Sequence, residues 1–138
     1  MMKNYKSKLG LELIIPLILI FGYSLFELIS NKVWIGIFII VLTIIFILYT
    51  LLSINYKIGN DTLNIKCTIL ININIDIKSI RKITETYNPL SSPAASIDRL
   101  EIFYNKFDSI LISPKFKKEF IQNLLEINPN IEIEYRNS

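Results

Sequence analysis

The chain has 138 residues, 51% of them hydrophobic, which is more apolar mass than one small globular domain buries. Its 15 basic and 12 acidic residues are interspersed and leave a net charge of +3, which excludes the basic face of a nucleic-acid binder. A single cysteine, Cys67, and the absence of histidine exclude an internal disulfide and leave no ligand set for structural zinc, so no metal or other cofactor is expected.

Residues 1–10 form a short lysine-bearing lead-in. Residues 11–29, "LELIIPLILIFGYSLFELI", then come close to the roughly 20 residues that cross a hydrocarbon core. Glu12 and Glu27 fall near the two ends, and Pro16 sits in the first turns, where lost backbone bonds are tolerated. Residues 33–52, "VWIGIFIIVLTIIFILYTLL", carry no charge at all. Tyr23, Trp34 and Tyr49 lie towards span ends, as interfacial aromatics do. Lys3, Lys6 and Lys8 before an apolar stretch also fit a secretory signal, but no small-x-small cleavage site follows and the second stretch begins almost at once. The connection "SNK" allows only a tight helical hairpin, which returns both ends of the chain to one side. Lys3, Lys6, Lys8, Lys57 and Lys66 flank the pair on that side, against Lys32 alone in the loop, so the positive-inside rule predicts both termini in the cytoplasm. Glu27, one turn from the loop, reads as a carboxylate at headgroup level, and the pair as an anchor. A transport path would need an oligomer, and a homo-oligomer stays open.

From residue 53 to the end the pattern changes to that of a small cytoplasmic domain. "YKIGNDTLNI" places Gly59, Asn60 and Asp61 between apolar runs, a hairpin signal. Every odd position from Leu63 to Ile77 is apolar, which predicts half-buried strand. Fifteen residues is too long for one strand, and the apolar triplet at 69–71 marks the expected bend or turn. "RLEIFYNKFDSILIS" predicts a second hairpin turning at 105–108. Ser113 and Pro114 are the expected N-cap and first residue of a helix running to about Ile127, with Phe116, Phe120, Ile121, Leu124 and Leu125 as its apolar stripe. Asn128 and Pro129 stop it, and "NIEIEY" predicts an edge strand. The expected architecture is a helical transmembrane hairpin followed by a mainly-β domain, a bent antiparallel sheet or open barrel capped by a C-terminal helix.

"PLSSPAASIDRLEIFY" at 89–104 and "ISPKFKKEFIQNLLEINPNI" at 112–131, behind a helix pair, resemble the YyaB-like bacterial pleckstrin-homology (PH) domain proteins. The resemblance implies a PH-like barrel and a non-catalytic role. The motif positions are Pro89, Ser91, Ser92, Pro93, Ala94, Ser96, Asp98, Arg99, Leu100, Ser113, Pro114, Phe120, Leu124, Asn128 and Pro129, read as fold-specifying. Related membrane-anchored bacterial PH-like proteins include immunity proteins against bacteriocins. The chain departs from the pattern at Thr68, where a turn glycine is expected, and at the helix start, where Lys115, Lys117 and Lys118 replace acidic residues.

Those three lysines are candidate contacts to a membrane surface. Without histidine the serines lack the usual base, and Cys67 has an inward strand position, so no catalytic residue is assigned. Three functions remain: an interaction module at the inner membrane face binding a protein or peptide, toxin self-protection, and anionic-lipid binding. The last is weakened by residues 57–138 holding eleven basic and ten acidic side chains. Asp98, in phase with Leu100 and Ile102, is expected to point inward and pin the "SSPAAS" loop through its hydroxyls and N–H groups.

Overall fold

The structure, a computed structural model, describes residues 2–90 and 94–137. Strand β1 (Lys3–Lys6) leads into helix α1 (Leu11–Ser30), and a turn at Asn31 and Lys32 returns the chain as helix α2 (Trp34–Leu52). Strand β2 (Asn55–Ile58) then pairs antiparallel with β1. The helix pair is therefore the connection between two neighbouring strands of one sheet. The lead-in is part of that sheet, and the one apolar residue of β1, Tyr5, is too little for a period to show. No residue of α1 or α2 is buried, and both are long and apolar enough to cross a membrane. They approach closely at Gly36, where a Cβ would lie 2.8 Å from Leu28 Cδ2.

The alternating run resolves into β3 (Thr62–Cys67) and β4 (Ile71–Asp76), joined by a turn at 68–70, and ends in a 3-10 turn (Ile77–Ser79). Cys67 pairs with Ile71 and Leu63 with Ile75, so a three-residue turn keeps odd positions facing inward on both strands. That is why the period ran on through the turn. Thr68 takes the left-handed conformation expected of glycine, φ 56°. Its N–H donates to Ser53 Oγ at 3.1 Å and its hydroxyl donates to the Cys67 carbonyl at 2.6 Å, which holds it there.

Strands β5 (Ile80–Thr86), β6 (Arg99–Tyr104) and β7 (Asp108–Ile112) form an antiparallel meander with a bulge between Ile80 and Lys82. Strand β8 (Glu132–Glu134) is the expected edge strand, but it pairs parallel to β5 and breaks the all-antiparallel expectation. The sheets run β1-β2-β3-β4 and β7-β6-β5-β8 and do not close into a barrel. An isolated antiparallel bridge between Ser7 and Pro114 joins them.

Helix α3 (Lys117–Ile127) caps the core and starts later than expected. Phe116 occupies its N-cap with no side-chain bond, because Ser113 and Pro114 are held by the N-terminal segment described below. Phe116 is 57% exposed and leaves the apolar stripe, whereas Phe120, Ile121 and Leu124 are buried. Phe120 meets Tyr5 and Tyr56 edge-on at 5.3 and 6.3 Å between ring centroids. Burying side chains of this size contributes roughly 2 kcal/mol each. Asn128 stops the helix as expected: its amide donates to the carbonyls of Ile77 and Ile80 at 3.0 and 3.2 Å, while Pro129 follows exposed.

Candidate functional site

Strand direction gives the domain two ends. β2 leaves α2 at Asn55, so the helix end gathers the turn at 68–70, the long loop between β5 and β6, and the segment from Ser113 to the start of α3. The far end holds the turns at 59–61, 77–79 and 105–107.

At the helix end the segment from Lys6 to Glu12 is clasped from two sides. Ser7 Oγ lies 2.9 Å from Ser113 Oγ and accepts from the Ala95 N–H at 3.1 Å and from the Tyr56 hydroxyl at 3.3 Å. Lys8 N–H donates to the Ser113 carbonyl at 2.6 Å and Lys115 N–H to the Lys6 carbonyl at 3.0 Å. Gly10 N–H donates to the Ala95 carbonyl at 2.9 Å, and a Cβ on Gly10 would strike the Glu12 carboxylate. Glu12 Oε1 accepts from Ser96 Oγ at 2.7 Å and from the Ile97 N–H at 2.9 Å, which ties the first turn of α1 to the loop.

Asp98 does not point inward as its phase suggested. It precedes the strand, so the strand period does not govern it. Its carboxylate instead accepts from Lys8 Nζ at 3.0 Å and from Lys117 Nζ, and Lys117 also reaches Glu85 at 3.8 Å. Burial pushes the Asp98 carboxyl up, but the hydrogen bonds from Lys117 and Lys8 outweigh it and hold it below its ordinary 3.8. The Asp98 hydrogen bond holds the Lys8 ammonium above its usual range, against a smaller opposing effect of burial.

Arg99, not Asp98, pins the loop. It is 4% exposed, its Nε donates to the Ser96 carbonyl at 2.6 Å, and Nη1 donates to the carbonyls of Asn88, at 3.1 Å, and Leu90. Burial lowers its affinity for the proton. An arginine fork can satisfy several carbonyls at once, which a lone carboxylate cannot do.

The motif residues Ala94, Ser96, Asp98, Arg99, Ser113 and Pro114 thus converge on one place, the entry to α1, with Leu100, Phe120 and Leu124 in the core. Pro89 is exposed, Asn128 and Pro129 lie at the far end of α3, and Ser91, Ser92 and Pro93 fall outside the described residues. Of the candidate surface lysines, Lys117 is taken up by Asp98, while Lys115 and Lys118 stay exposed beside Phe116. Ser7, Lys8, Gly10 and Glu12 carry no sequence signal for this role, since they lie some 85 or more residues from most of their partners.

The clasp holds rather than reacts. Ser96 and Ser113 are fully buried and spent on structural bonds. Burial raises the Cys67 thiol, away from the reactive thiolate. Among the described residues no group of three or more Cys, Asp or Glu is placed to hold a metal ion.

A family model described as "Bacterial PH domain" matches residues 54–128, from just before β2 to the end of α3. The chain belongs to the bacterial PH domain family. In this bacterial PH domain β1 lies outside the matched residues, and the helix pair separates it from the rest. The match distinguishes no subgroup, YyaB-like or other. Among solved structures, the chain is similar to one described as "Structure of the Spt16D Pob3N heterodimer", at 17% identity and a TM-score of 0.40, over 60% of this chain and 45% of that one. No curated protein matches it.

Proposed function

We propose that the chain is a non-catalytic interaction module held on the cytoplasmic face of a bacterial inner membrane by α1 and α2, with both termini inside, and that it binds a partner protein's extended segment along β4. Membership of the bacterial PH domain family supports the non-catalytic role, and the two apolar helices support the anchor. The lysine excess beside the helix ends supports the orientation.

The open edge of β4 carries the binding mode. This strand of six residues, "ININID", pairs on one side with β3 and, among the described residues, with no strand on the other. It has none of the lysines or prolines by which edge strands block further pairing. Asn72 and Asn74 both accept from Asn64 Nδ2 at 2.6 Å, so the exposed face is tied to β3 while the main-chain edge stays available. An added strand would gain main-chain hydrogen bonds and set alternate side chains beside Ile71 and Ile73. A photoreactive residue at Asn72 in the full chain should give one discrete crosslinked partner, lost on Asn74→Lys. Adducts that match those from a probe at Phe107, or that survive Asn74→Lys, would refute the β4 edge.

Anionic-lipid binding is a second reading with its own support. Lys6, Lys115 and Lys118 surround exposed Phe116 at the helix end, along clefts of about 430 and 510 Å³. Each lysine near an anionic leaflet contributes about 1 kcal/mol. Phosphatidylglycerol in nanodiscs should raise the melting temperature of the full chain, and joint replacement of the three lysines by Gln should abolish the gain.

A further inference from the structure

We propose that the turn between β3 and β4 is a second membrane contact, with Ile69 and Leu70 inserted into the same leaflet that α1 and α2 enter. This rests on the reading of the helix pair as membrane-spanning. Ile69 and Leu70 are 87% and 85% exposed, two neighbouring large apolar side chains in water if nothing covers them. The turn is tied to the end of α2, because Thr68 N–H donates to Ser53 Oγ at 3.1 Å and Ser53 is the C-cap of that helix. Ser53 is in turn fixed to the helix by its own hydroxyl, which donates to the Thr50 carbonyl at 2.9 Å. A residue two positions from that bond lies within one side chain's reach of the level at which α2 leaves the apolar phase.

The local backbone is built to present these side chains. Left-handed Thr68 turns the chain sharply, and its Oγ1 accepts weakly from the Leu70 N–H at 3.4 Å. Both apolar side chains are thereby directed away from the core that Cys67 and Ile75 enter. The occupant is a lipid surface rather than a protein because the helix pair itself sets that surface beside the turn. Lys66, exposed on β3 next to the turn, supplies a cation at headgroup level. The contact would also limit tilting of the domain about the helix roots, keeping β4 at a fixed height above the leaflet.

Single-tryptophan chains test this in the full-length protein, reconstituted in vesicles of brominated phosphatidylcholine. In a Trp34→Phe background, Leu70→Trp, Phe46→Trp and Phe107→Trp report the turn, the middle of α2 and the far end. All three positions are well exposed, at 85%, 63% and 87%, so the core is spared. Leu70→Trp should lose at least half its emission to the brominated lipid and shift to the blue, as Phe46→Trp does, while Phe107→Trp stays unquenched and open to iodide. If Phe46→Trp is quenched and Leu70→Trp behaves like Phe107→Trp, the turn contact is wrong and the anchor stands. If Phe46→Trp is unquenched, the anchor fails and the contact fails with it.

Discussion

The two ends of the domain are built from the same strands and differ in almost everything else. The far end closes with short turns that leave one large apolar side chain, Phe107, exposed, and the ion pair of Lys78 with Asp61 at 3.5 Å there has both side chains more than half exposed. The helix end carries the loop residues 87–90 and 94–98, the Lys8–Asp98–Lys117 cluster, buried Arg99, and exposed Ile69, Leu70, Leu90 and Phe116. Buried polar bonds and neighbouring exposed apolar side chains are thus concentrated at the helix end. The difference follows from the insertion of α1 and α2 between β1 and β2, because everything at that end must hold or surround their roots.

The largest expected effect that sharpens this contrast is at Arg99. Arg99→Leu leaves the buried carbonyl of Ser96, and the part-buried bonds to Asn88 and Leu90, without their donor and should destabilise the domain by about 2 kcal/mol. Chemical denaturation of the full chain in detergent measures it, and a loss below about 1 kcal/mol would remove Arg99 as the pin.

Asp98→Asn should cost less, about 1 kcal/mol, since both lysine partners keep some solvent. The Asp98 carboxyl titrates below its ordinary 3.8 when folded, so the stabilisation is present at neutral pH and is lost as the pH falls through the folded value. The wild-type and Asp98→Asn stability curves should therefore converge at acid pH. A gap that stays constant from neutrality to acid would deny the ion pairs. Smallest is the far end, where Asp61→Asn should change stability by less than about 0.5 kcal/mol. A larger loss there would erase the contrast between the ends.

Strand positions in this chain were legible because apolar alternation survives folding unchanged. The hairpin from Gly59 to Asp61 and the meander from Arg99 to Ile112 follow the period, and the triplet at 69–71 located a turn that the odd-position run alone concealed. What could not be read depends on partners distant in sequence. Ser113 looked like an N-cap, but Ser7, 106 residues earlier, takes its hydroxyl, and Tyr56 accepts its N–H at 3.1 Å. Asp98 was assigned inward by a period that begins only at Arg99. β1 has a single buried side chain, Tyr5, and becomes a strand only because β2 returns beside it after the helix pair.

Whether the entry to α1 belongs to the domain's folded body is read by amide hydrogen exchange of the full chain in nanodiscs. Gly10 and Ile97, bonded to Ala95 and Glu12, should exchange as slowly as the amides of β2 and β3, and Glu12→Gln should speed Ile97 while leaving β3 unchanged. Exchange of Gly10 and Ile97 at the rate of an open loop, with β2 and β3 still protected, would contradict it.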